Sequence, residues 1–324
     1  MERGLKKRWM GVLFAVLITV TFGLAFNSVQ SNTMSAALQS AFSIEPLNSG
    51  IVISVLTLVI IFGGVHRIAA ISSVIVPVMA VGYIALALFV VLANIDRIPA
   101  VVEQIVGNAF GWHQTVGGGI GTALMQGIKR GLFSNEAGMG SAPNAAATAH
   151  VTHPAKQGFI QALGVFTDTL LICSCTAFII LFGEDYVGSG LDGIQLTQAA
   201  LTSEVGNIGG IYVAIATLFF AYSSILGNYY YGEANIRFFT SRQWPVVLYR
   251  MLVGGMVLFG SLASLKLVWN LADVTMALMS ICNLIAIFLL GKYAFRLLDD
   301  YLAQKRKGIK SPVFHNCLLY TSPS

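Results

Sequence analysis

Charge is the scarcest resource in this chain of 324 residues: only 10% of it is Asp, Glu, Lys or Arg, against 56% hydrophobic residues. A soluble domain carries about a quarter charged residues, because its surface must be wetted. That shortage excludes a globule in water and makes lipid the main solvent. Cysteine is also sparse, with four residues. Cys173 and Cys175 share one apolar run, where a Cys-x-Cys pair on a helix points its thiols to different faces, so neither a disulfide framework nor a zinc knuckle is indicated. The basic start, Met1 to Trp9, leads into an apolar run without a small-residue cleavage site and reads as a cytoplasmic flank.

What is present is a series of long apolar runs, each near the roughly 20 residues that cross a bilayer. No charged residue occurs between Trp9 and Ile44, which reads as a tilted span with a polar end from Asn32 to Ser43. Runs at 47–65, 68–95, 157–183, 207–231, 246–265 and 267–291 follow. Between the third and the next lies a mixed interfacial stretch, Asp96 to Thr115, and then an unusual segment, Val116 to Ala149. Eight spans are therefore expected. Lys and Arg fall mainly on the side of the N-terminus, so both termini are expected in the cytoplasm and the chain in a plasma (bacterial inner) membrane.

The segment Gly131-Leu-Phe-Ser-Asn-Glu-Ala-Gly-Met-Gly-Ser-Ala-Pro143 concentrates glycine and polar groups inside a lipid-spanning stretch. Irregular backbone survives there only where it is buried in protein or lines a cavity. Gly138 and Gly140 can take positive φ and stop a helix, and Ser141 followed by Pro143 reads as a helix start. A helix broken at midplane offers free carbonyls on one side and N–H groups on the other, a pattern suited to a zwitterion and a cation. Asn135 and Glu136 add an amide and a carboxylate. The competing reading is a packing hinge in which Glu136 pairs with Arg130 or Lys129. Asp168, alone in its span, is open between support of an ion site and an ion pair. Asp273 is expected to pair with Lys266 or cap its helix, Tyr229 to Tyr231 to anchor at the interface, and His150 with His153 to form an interfacial pair rather than a metal site.

Residues 131–143 closely resemble the signature of the alanine or glycine:cation symporter family, of the amino acid-polyamine-organocation superfamily. So do Asn27-Ser-Val-Gln-Ser-Asn32, Asp168-Thr169, Ile225-Leu-Gly227 with Tyr230-Tyr-Gly-Glu233, and Val268-Trp-Asn-Leu-Ala-Asp273. The resemblance implies an all-α polytopic membrane protein of leucine-transporter-type inverted-repeat fold, with core helices three to ten represented and the first two without counterpart. It implies one transmembrane domain over 1–314 and an N-terminally truncated chain; the ending 315–324, unlike the family's, is expected to be a non-native tail. It further implies sodium-coupled symport of alanine or glycine, with Gln30, Phe133, Asn135, Gly138 and Gly140 at the substrate, Ser223, Ser224 and Asp168 at sodium, and Glu136 and Glu233 in gating or structural roles. The expected partners are sodium, a small amino acid and the lipid bilayer, with no nucleic acid and no cofactor beyond the coupling ion. Asn228 departs from the family, which usually carries Trp there. A non-transporting or channel-like subunit completed by a partner is the alternative.

Overall fold

The computed structural model describes residues 1–63, 65–110, 118–183 and 189–314, excluding the side chains of 65–75, 118–120 and 123. The expected tail, 315–324, and the acidic pair Glu184-Asp185 lie outside the described residues. After a short turn, Glu2–Leu5, the elements are α1 (Arg8–Phe42), α2 (Pro46–Gly63), α3 (Val65–Ala93), α4 (Ile98–Ala109), α5 (Gly118–Asn135), α6 (Ala142–Ala146) and α7 (Pro154–Phe182). Then follow α8 (Ile194–Val205), α9 (Asn207–Phe239), α10 (Gln243–Leu262) and α11 (Leu265–Arg306). Among the described residues there is no strand, and seven helices are long and apolar enough to cross a membrane. The count is seven rather than the expected eight because the segment after α4 is two pieces: α5, which carries Lys129 and Arg130, and the five-residue α6.

Each long helix is apolar outward and mixed inward. Phe288, Ile208 and Phe295 face outward at 87%, 77% and 69% exposure, as the apolar faces of membrane-span candidates do. Polar side chains instead fill the contacts between helices. Ser31 Oγ donates to the Val257 carbonyl at 2.6 Å, and Asn32 Nδ2 donates to the carbonyls of Gly260 and Ala263 at 2.9 and 2.8 Å. Ser54 Oγ donates to the Gly254 carbonyl at 2.8 Å. These bonds sew α1 and α2 to α10. Within the expected polar end, Asn32–Ser43, the helix runs on to Phe42, with Asn32 spent on a neighbouring backbone and Gln39 and Ser40 exposed.

Small residues let those backbones approach. A Cβ on Gly260 would meet the backbone of Ser28, and one on Gly23 or Gly232 would meet the ring of Tyr249, which lies in a notch between α1 and α9. The main core collects Ile18, Phe22, Phe26 and Val29 of α1 with Met276 and Met279 of α11 and Met139 from the α5–α6 connection. Helix α1 is thus packed on α9, α10 and α11 at once.

The glycine contacts give a direct test. Gly260→Ala should lower the stability of the detergent-solubilised protein by about 1–3 kcal/mol, because overpacked contacts must shift backbone. Gly255→Ala, whose Cβ would enter open space, should leave the thermal midpoint unchanged.

Candidate functional site

Helix α5 ends at Asn135, and the chain then takes three left-handed residues within five: Glu136 at φ 54°, Gly138 at 81° and Gly140 at 93°. The glycines do what their sequence positions led one to expect; Glu136 was not anticipated, and a non-glycine there is strained unless held. It is held. Its carboxylate accepts from Ser141 Oγ at 2.5 Å, and its backbone N–H donates to the Leu132 carbonyl at 3.0 Å. Gly140 is doubly constrained, since a Cβ there would press on Phe14 and Asn283 at 2.6 and 2.7 Å. Met139, fully buried, pins the turn into the main core.

The carbonyls released by the break are taken up by side chains. Asn283 of α11 donates to the Gly138 carbonyl at 2.8 Å. Asn144 donates to the carbonyls of Gly140 and Ser141 at 3.2 and 3.1 Å, and Asn235 of α9 in turn donates to Asn144 Oδ1 at 3.0 Å. The second half-helix is weaker than expected. With five residues, α6 is too short to present the pronounced positive end of a long helix.

Asn135 Nδ2 donates to Thr169 Oγ1 at 3.0 Å, and its Oδ1 accepts from the Ala137 N–H at 3.0 Å. Next to it, Ser134 Oγ donates to Asp168 Oδ2 at 2.7 Å. Asp168 and Thr169 belong to a π-helical turn, Thr167–Cys173, inside α7; a second such turn, Thr21–Phe26, interrupts α1. Such turns occur mainly as single insertions, frequently at functional sites. Among the described residues, Asp168 is held by a hydroxyl and makes no ion pair with a side chain. A cavity of about 1110 Å³ opens along this surface, lined by Asn135, Glu136, Gly138, Gly140, Asp168 and Tyr231 among others.

Phe133 stands apart from that lining. Its ring packs between Phe26 and Trp269, with centroids 4.5 Å away on each side. Phe26 continues to Phe22 at 4.7 Å, and Phe22 to Tyr231 at 5.3 Å. At the other end, the Arg130 guanidinium lies 4.1 Å over the ring of Trp269 and donates twice to Asp273, at 2.8 and 2.7 Å, while Lys129 reaches the same carboxylate at 3.5 Å. The cations of α5 serve Asp273, which removes the competing packing-hinge pairing of Glu136, and the expected pairing of Asp273 with Lys266, which is exposed, is corrected. Both Arg130 bonds come from the single nitrogen Nη2, set between the two carboxylate oxygens, and such charge-assisted hydrogen bonds are roughly twice as strong as neutral ones.

The remaining predicted residues fall elsewhere. Gln30 sits half-buried on α1, outside the cavity lining. Ser223 and Ser224, half-buried on α9, both donate to the Phe220 carbonyl, at 2.8 and 3.0 Å, which leaves hydroxyl lone pairs free. Glu233 is buried and accepts from Arg237 Nε and Nη2 at 2.8 and 2.6 Å, from Arg250 Nη2 at 3.4 Å and from the Tyr229 hydroxyl. Tyr229 is fully buried in this cluster and is no interface anchor.

The two histidines also separate. His150 is exposed, whereas His153 is fully buried, with Nε2 3.1 Å from Asp300 and Nδ1 accepting from the Ala155 N–H at 3.1 Å. It begins α7 and ties it to α11. No cluster of metal ligands occurs among the described residues.

If the break is set by Gly140, Gly140→Ala should cost at least about 2 kcal/mol through positive φ and overpacking together. Gly158→Ala, whose Cβ would meet no neighbour, should be neutral in the same thermal unfolding measurement.

The pattern of the sodium:alanine symporter family matches residues 1–316. A probable sodium/glutamine symporter of Bacillus subtilis is 56% identical over 98% of this chain and 66% of its own length. The amino-acid carrier protein AlsT of the same organism is 54% identical over 97% of this chain and 67% of its own. A sodium/alanine symporter of Methanococcus maripaludis is 38% identical over 90% and 65%. The chain thus spans about two thirds of the length of these curated relatives. A match running through all seven candidate spans, over a polytopic all-helical architecture, leaves one assignment: this chain belongs to the sodium:alanine symporter family.

Proposed function

We propose that the protein acts in sodium-coupled symport of a small neutral amino acid, alanine or glycine in the first instance, by alternating access, with the Gly131–Pro143 break forming half of the substrate site. The reading is one of transport and not of enzymatic catalysis. The observation that carries it is the break itself: three left-handed residues, held by Ser141, Asn144 and Asn283, beside a cavity that also receives Asn135 and Asp168. A packing hinge needs no such set of polar partners. The relatives' names, which specify alanine in one case and glutamine in another, support a neutral amino acid as the substrate class.

In this reading, the backbone at Gly138 and Gly140 and the amide of Asn135 face the zwitterion, while Gln30 and Phe133, outside the cavity lining here, reach it only when the site closes around the substrate. Ser223 and Ser224 offer hard oxygen ligands to sodium, which such ions prefer. Asp168, held by Ser134, contributes negative potential close to the break. Glu136 maintains the turn, and Glu233, enclosed by Arg237 and Arg250, ties α9 to α10. Binding of sodium and of substrate strengthen one another because both favour the same conformation, and the coupling is reciprocal. A leucine-transporter-type arrangement in the plasma membrane with both termini cytoplasmic fits the distribution of basic residues.

The test is uptake of labelled alanine and glycine by the full-length gene product in proteoliposomes. An inward sodium gradient should drive accumulation, and replacing sodium by choline should abolish it. Asn135→Ala should reduce uptake at subsaturating substrate by about tenfold, the scale of one lost polar contact to a charged group. Uptake that ignores sodium, or that survives Asn135→Ala unchanged, would overturn the assignment.

A further inference from the structure

Threonines on the long helices of this protein spend their hydroxyls within their own helix. Thr19, Thr33, Thr57, Thr167 and Thr202 each donate to the carbonyl four residues back, at 2.7 to 3.0 Å. That is the ordinary local bond of a helical threonine. Thr169 departs from it. Among the described residues, its hydroxyl meets Asn135 Nδ2 at the end of α5, 3.0 Å away. The cause is local: Thr169 lies inside the π-helical turn Thr167–Cys173, where each backbone bond reaches one residue further than in an α-helix.

The same turn lets two neighbours in sequence face α5 together. Successive side chains on an α-helix stand about 100° apart, and a wider turn closes that angle. Asp168 accepts from the Ser134 hydroxyl at 2.7 Å, and Thr169 accepts from the Asn135 amide at 3.0 Å. Two consecutive residues ending α5 are thus matched by two consecutive residues of α7. Three of the four, Ser134, Asn135 and Asp168, line the cavity; Thr169, half-buried behind Asn135, does not.

These contacts fix which way round the Asn135 amide stands. The Ala137 backbone N–H can only donate, so the atom 3.0 Å from it is Oδ1. Nδ2 therefore points at Thr169 Oγ1, which accepts. With one bond made at each end, the amide keeps one N–H and one oxygen lone pair to offer the cavity. Take Thr169 away and the one tether left is Ala137, which belongs to the break itself. An asparagine amide has a broad terminal torsion, so a single tether does not hold its plane.

We propose that Thr169 is a positioning residue for substrate binding: it makes no contact with the substrate and holds the Asn135 amide in the orientation that receives it. The proposal rests on the symport reading above, in which Asn135 faces the zwitterion, and adds to that site a residue from another helix. Its consequence is that α7 enters the site through Asn135. A shift of the π-helical turn relative to α5 releases the amide and weakens the site without displacing any group that the substrate touches.

The decisive measurement is sodium-driven uptake of labelled alanine by the full-length gene product in proteoliposomes. Thr169→Val keeps the shape and removes the hydroxyl. It should raise KM for alanine by about tenfold, the scale of one lost hydrogen bond, and change kcat by less than about twofold. The thermal midpoint of the substrate-free protein should stay where it is. Thr169→Ser should restore KM, and Thr169→Ala should match the valine variant and replace it if that one does not fold. In the Asn135→Ala background, Thr169→Val should add no further loss, because a residue acting through Asn135 has nothing left to act on. An unchanged KM in Thr169→Val, or a full additional loss on top of Asn135→Ala, would sink the proposal. So would a lower kcat and a lower midpoint at unchanged KM, the mark of a structural role. If Asn135→Ala weakens uptake and Thr169→Val does not, the positioning role alone is lost; if Asn135→Ala leaves uptake intact, the substrate-site reading is lost with it.

Discussion

Everything around the break depends on one constraint: a backbone group stripped of both water and helix partners must find another partner or cost several kcal/mol. Between Asn135 and Ala142 the helix ladder stops, and the molecule answers with side chains drawn from three directions. Asn283 comes from α11, Asn144 from just beyond the break, and Asn235 from α9 steadies Asn144. Because each donor belongs to a different element, the break is a junction where several helices are held in relation. The core around Met139 is the apolar counterpart of that junction, with α1 and α11 closing over the same turn.

A second theme is that polar residues here are internal fasteners. In water a serine or asparagine on a helix usually faces solvent. Here Ser31, Asn32 and Ser54 donate across to the backbone of α10, and glycines opposite them permit the approach. With lipid as apolar as leucine, burial of side chains gives no preference for protein neighbours over lipid, so close packing and such hydrogen bonds hold helices together. Charged residues follow the same logic. Glu233 with its two arginines, and Asp273 with Arg130 and Lys129, are each a compact set in which one carboxylate is shared by two cations.

Composition and apolar runs made the class legible: helical, polytopic, with a break near residues 131–143. Glycine positions located the positive-φ turns at Gly138 and Gly140 because the physics there is local. Partners were not legible, since they depend on tertiary distance. Nothing near Asp273 in sequence points to Arg130, and Lys266, seven residues away, was the obvious wrong choice. The inward role of Asn32 was hidden because a sequence cannot tell a polar group facing water from one facing a neighbour's carbonyl. The π-helical turns at Thr21–Phe26 and Thr167–Cys173 leave no compositional trace at all. Asn283, which caps the break, could have been suspected as a lone amide in an apolar run, the same signal that singled out Asp168.

Helix α11 is continuous over 42 residues, about 63 Å at 1.5 Å per residue, roughly twice the thickness of a hydrocarbon core. Its early turns hold Asp273 against Arg130, and its late turns hold Asp300 against His153. Those contacts stand 27 residues apart, about 40 Å along one rod. A rod of that length acts as a lever: a tilt of about 5° at the Asp273 end sweeps the Asp300 end through about 3.5 Å, more than a hydrogen bond can stretch. A tilt at one end of this helix would therefore be felt as a displaced contact at the other.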